Sequence, residues 1–75
     1  MTNKMENNRL IKALHAKYHA EMMDAIARLE VYATSPVAIG EHPQHTEEMD
    51  NLVEQYANAR DKAEALMIMV TELSA

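Results

Sequence analysis

Apolar and polar positions follow a helical rhythm along most of this chain. In the first segment apolar or aromatic residues recur at Ile11, Tyr18, Met22, Ala25, Leu29 and Tyr32, with His15 standing in the series after Ile11. The steps are 4, 3, 4, 3, 4 and 3, one face of a helix at the seven-residue period. Leu14, Ile26 and Ala33 flank this seam and widen it into a stripe that suits a bundle better than a two-stranded zipper. No Gly or Pro interrupts the chain from Asn3 to Ala33, which predicts a first helix over about 3–33.

The second half carries the clearer pattern. Met49, Leu52, Tyr56, Ala59, Ala63, Leu66, Val70 and Leu73 step by 3, 4, 3, 4, 3, 4 and 3. Asp50, Glu54, Asp61 and Glu64 occupy outer positions, so a second helix is predicted over about 44–74. Between the two lies a turn over about 34–43. Thr34-Ser35-Pro36 removes a backbone donor and drives Ser35 toward extended geometry, and Gly40 is the only glycine in the chain. Pro43 fits the first turn of a helix, while Thr46 followed by Glu47 and Glu48 offers a competing start near the positive end of the helix dipole. Val37 and Ile39 are expected to fold back over the end of the bundle.

Two helices of matched length, each roughly 45 Å long at 1.5 Å per residue, joined by a short connection, should lie antiparallel. The expected fold is all-α, one helical-hairpin domain over 1–75. Two helices give each other a single contact line, so much of each stripe would stay wet. Met67, Ile68 and Met69 add apolar surface between and beyond the seam positions, and an exposed apolar patch on a small protein marks an interaction site. The expected answer is a homodimer forming a four-helix bundle through Ile11, Tyr18, Met22, Leu29, Leu52, Tyr56, Leu66, Met67, Ile68 and Val70. The basic start of helix one and the acidic start of helix two favour a head-to-tail pairing. Alanines at 25, 59 and 63 allow close helix approach, with Tyr18, Tyr32 and Tyr56 reaching outward at the seam edges.

Size sharpens the need for a partner: 75 residues rarely derive more than about 3–5 kcal/mol from one core without a staple. The chain has no Cys, which excludes disulfides and thiolate zinc sites and gives no sign of an oxidising compartment. The polar, Asn-containing start lacks the apolar stretch of a signal peptide. The longest apolar run, Ala65 to Val70, is far below the roughly 20 residues of a bilayer span, so no membrane partner and a cytoplasmic location are expected.

Net charge is −5 but unevenly spread. Up to residue 20, Lys4, Arg9, Lys12 and Lys17 stand against Glu6 alone; beyond it, eleven acids stand against Arg28, Arg60 and Lys62. An acidic chain is a poor ligand for nucleic acid, leaving only the four basic residues of the first segment as a minor option.

Candidate chemistry is sparse. His15 and His19 share a helix face at a metal-binding spacing, but two ligands are not a site, and His42 and His45 belong to the other end of the hairpin. No metal ligands and no cofactor are therefore assigned. There is no Cys nucleophile, no Gly-rich phosphate loop, no Glu followed three residues later by His, and no His–acid pair near Ser35 or Ser74. No catalytic residue is assigned and no enzyme is expected.

The turn segment Val37-Ala38-Ile39-Gly40-Glu41-His42-Pro43, continued by an acidic helix containing Ala59-Arg60-Asp61-Lys62-Ala63-Glu64-Ala65-Leu66, resembles small uncharacterised helical-hairpin proteins of tailed bacteriophages, marine ones included. The similar stretch covers about the second half of the chain. The resemblance implies a viral origin, a host-cytoplasmic setting and a host-directed or structural accessory role, and it transfers no site residue. The sequence thus points to a non-enzymatic self-associating interaction module. Its alternative is an adaptor or inhibitor that docks on a host protein through the C-terminal apolar patch.

Overall fold

The computed structural model describes residues 5–34 and 45–75. Two helices make up nearly all of it: α1, Arg9–Thr34, and α2, His45–Ser74. The expected turn, with Val37, Ile39, Gly40, His42 and Pro43, lies outside the described residues apart from Thr34, which ends α1.

Helix α1 begins later than its lack of Gly and Pro suggested. Residues 5–7 form a turn, and the Asn8 side-chain Oδ1 accepts hydrogen bonds from the backbone N–H of Leu10 at 2.9 Å and of Ile11 at 3.2 Å. Two of the N–H groups that a helix start leaves unpaired are thereby satisfied, so Asn8 is the N-cap and Arg9 the first helical residue. In α2 the first described residue is His45, with Thr46 already inside the helix and Glu47 and Glu48 in its first turn. There the carboxylates oppose the positive end of the backbone dipole.

The helices run antiparallel, as their cross-contacts show. Tyr32 near the end of α1 donates its hydroxyl to Glu48 near the start of α2, and its ring meets that of His45 edge to face at 5.9 Å. Further along, Gln55 Nε2 donates to the Glu21 carbonyl at 2.9 Å and to Asp24 Oδ2 at 3.0 Å. Further still, Lys62 Nζ lies 6.0 Å from the centre of the Tyr18 ring. Residue numbers rise on one helix as they fall on the other, which makes the described chain a hairpin with one end near 34 and 45 and the other near 9 and 74.

Among the described residues six side chains are buried: Ala25 from α1, and Leu52, Ala59, Ala63, Leu66 and Val70 from α2. The five on α2 belong to the expected seam, whose last member, Leu73, is instead 64% exposed. Beyond Val70 the first helix has only Asn8 and the preceding turn to offer, so Leu73 finds no helix to pack on. On α1 the seam is interrupted at His15, which is exposed, while the flanking Leu14 is half-buried. An imidazole loses hydration when buried without a partner and a leucine gains, so the helix presents Leu14 to α2.

Candidate functional site

The hairpin has two broad faces, and they differ. One bears two apolar grooves. The larger, about 440 Å³, lies toward the chain ends and is lined by Ile11, His15, His19 and Ala16 of α1 and by Met67 and Val70 of α2, with Glu6 and Lys12 at its border. The smaller, about 280 Å³, lies toward the other end between Ala25, Ile26 and Leu29 of α1 and Leu52, Val53 and Tyr56 of α2. Both open on the same side. Ile11, His15, His19, Met22, Ile26 and Leu29 follow each other at steps of 4, 4, 3, 4 and 3, a row along one flank of the α1 seam. Met49, Val53, Tyr56, Arg60, Ala63 and Met67 form the matching row on α2.

The opposite face is closed by polar contacts. Besides the Gln55 bonds, Arg28 pairs with Asp24 at 3.4 Å, and a polar cleft is bordered by Arg28, Tyr32, Glu48, Asn51 and Gln55. The hydrogen bond from Gln55, helped by Arg28, holds the Asp24 carboxyl below its ordinary value against a smaller opposing effect of desolvation. The hydrogen bond from Tyr32 to Glu48, reinforced by desolvation and by the Glu48 charge, raises the Tyr32 hydroxyl above its ordinary value. Both follow from one rule: a protonation state that holds a hydrogen bond resists change.

The residues expected at an interface fall into three groups. Leu52, Leu66 and Val70 are 5%, 7% and 1% exposed, used up between the two helices of one chain. Ile11, Tyr18, Met22, Leu29 and Tyr56 are half-buried at the seam edges. Met67 and Ile68 are exposed, Ile68 on the outer surface of α2 away from α1. Around them the hairpin leaves Leu10, Met23, Ile26, Val31, Val53, Met69 and Leu73 largely in water. Ile26 belongs to the residues that the sequence pattern places beside the seam of α1, whereas Val53 has no place in the pattern of α2. Its signal is an apolar position one residue beside the seam, and its pairing with Ile26 becomes evident only once the two helices are placed together.

His15 and His19 both border the larger groove, which Glu6, in the turn before α1, also lines. Among the described residues no three His, Asp or Glu side chains gather where a metal ion could be held. No helix among them is long and apolar enough to cross a membrane. The chain matches no protein-family model, no curated protein and no solved structure.

Proposed function

We propose that this chain is a non-enzymatic helical interaction module that associates with itself, two hairpins forming a four-helix bundle, as a cytoplasmic accessory protein of the tailed-phage type that its turn and second helix resemble. The observation that carries this reading is the make-up of the core. Among the described residues three of the six buried side chains are alanines, while nine large apolar side chains are exposed, Leu10 at 81% among them. A core of that kind supplies little of the burial that a domain of this size needs, and a second apolar surface is the usual remedy. Sedimentation equilibrium between about 1 and 100 μM, a range that detects association of about 5–8 kcal/mol, should give the mass of two chains. A folded single chain throughout that range would overturn the proposal.

A second reading has an observation of its own. Ile68 points away from both grooved and polar faces and, with Met69 and Leu73 exposed near it and Met67 at the edge of the larger groove, leaves the end of α2 apolar. An adaptor or inhibitor docking on a host protein would use that patch. Ile68→Asp should then abolish capture of the host partner while helicity and the mass in solution stay unchanged. Loss of the dimer in the same variant would return Ile68 to the first reading.

A further inference from the structure

We infer that the second copy seats on the grooved face, head to tail about a two-fold axis, so that the larger groove of each hairpin receives the Ile26–Leu29 segment of the other. The inference rests on the self-association proposed above and assigns its face and its direction.

The choice of face follows from what burial would cost. Covering the polar face would take the Arg28–Asp24 pair, the Glu48 carboxylate and the Gln55 amide out of water, each a loss unless new partners appear. Covering the grooved face removes Ile26, Val53 and Met67 from water, which is favourable; its polar members, His15, His19 and Arg60, are exposed amphipathic side chains that can pack their apolar parts while their polar ends stay at the rim. The size is adequate. Helix α1 is about 39 Å long at 1.5 Å per residue and two helices side by side are about 20 Å wide, giving a face of about 800 Å². That outline lets both helices of a second copy lie along the face over their full length, the footprint on which an interface of ordinary size, about 800 Å² of accessible surface per partner, is built.

Direction follows from charge. Among the described residues the half of the hairpin containing residues 21–34 and 45–60 holds seven acids against Arg28 and Arg60. The other half is balanced, with Arg9, Lys12, Lys17 and Lys62 against Glu6, Asp61, Glu64 and Glu72. Parallel stacking places the two acidic halves on each other; head-to-tail stacking places each on a balanced half. It also makes α1 cross its own copy with Met22, at the middle of the helix, facing Met22 of the second chain. His15 then lies opposite Leu29, His19 opposite Ala25 and Ile26, and on α2 Met49 lies opposite Met67. At the rim, Lys12 comes within a turn of Glu30 of the other copy. In the parallel arrangement α1 instead meets α2, and Glu30 arrives level with Asp50.

The absence of Cys makes the test direct, because each introduced thiol is the only one in its chain. Under mild oxidation Met22→Cys should convert to a covalent dimer, and Ile68→Cys on the outer surface should not. His15→Cys and Leu29→Cys should each remain uncrosslinked alone and join when mixed, which provides a readout if Met22→Cys perturbs folding; circular dichroism verifies helicity in every variant. A chain that sediments as a dimer while Met22→Cys joins only to Asn58→Cys is parallel, and overturns this inference without touching self-association. A folded monomer overturns both.

Discussion

The two faces of the hairpin solve the same problem in different ways. On the polar face Gln55 bridges to Glu21 and Asp24, and Tyr32 reaches Glu48, so the helices are tied by hydrogen bonds that remain in contact with water. On the grooved face no such tie spans the helices among the contacts described, and Ile26, Val53 and Met67 line clefts that neither helix fills. The ties that pair the two helices and the apolar surface that their pairing leaves uncovered therefore lie on different faces of one short sequence. Hydrogen bonds between exposed groups fix register at little net gain, whereas apolar area drives association without fixing it.

That separation can be broken or sharpened by substitution. The largest effect belongs to the seam that both faces share. Leu66→Ala should cost about 2–5 kcal/mol through lost burial and the space left behind, seen in urea titration followed by circular dichroism as loss of the hairpin itself. The next concerns the grooved face alone. Ile26→Asp with Val53→Asp should weaken self-association by about a hundredfold or more, taking roughly 1.5–3 kcal/mol for each apolar side chain no longer buried. The melting temperature should then lose its dependence on protein concentration, while high helix content is retained; an unchanged concentration dependence would remove these side chains from the interface.

Smaller effects belong to the polar face. Gln55→Ala gives up two hydrogen bonds and should cost about 1 kcal/mol, with the dimer mass unaltered. If the dimer dissociates instead, the two faces are not independent. The smallest effects are in pH. Asp24 titrates lower in the folded chain than in the unfolded one, so its stabilisation is present above pH 3.8 and fades as pH falls through the lowered value. Tyr32 titrates higher when folded, so its stabilisation is present below pH 10 and is lost as pH rises through the raised value. Acid melts of Gln55→Ala and alkaline melts of Tyr32→Phe should show these slopes reduced.

Much of the hairpin was legible from spacing. Period and the seam of α2 depend on local sequence, and five of its eight positions are the buried ones. On α1 His15 interrupts the series, and the half-buried position there is Leu14, which flanks it: burial depends on chemistry as well as angle. Leu73 fits the series of α2 and is exposed, because a seam extends only as far as its partner helix. The absence of Gly and Pro permits a helix without starting one and so suggests too early a start for α1, whereas Asn8 specifies a start through its side chain. Gln55 and the Ile26–Val53 groove were out of reach for a different reason. Each joins residues about 30 positions apart, and which residues meet is set by the register of the two helices.

The cluster of Tyr32, Glu48 and His45 has a consequence for the order of folding. It closes a loop of only 16 residues, whereas bringing Ile11 and Val70 to the walls of one groove closes one of 59 residues. Loop-closure entropy grows with the logarithm of length, so starting at the long contact costs about 1 kcal/mol more than starting at the short one. Once Tyr32 has met Glu48, each further turn brings the next pair within reach. The hairpin should therefore zip from its acidic end toward its chain ends, and the larger groove, with its two histidines, is the last surface to exist.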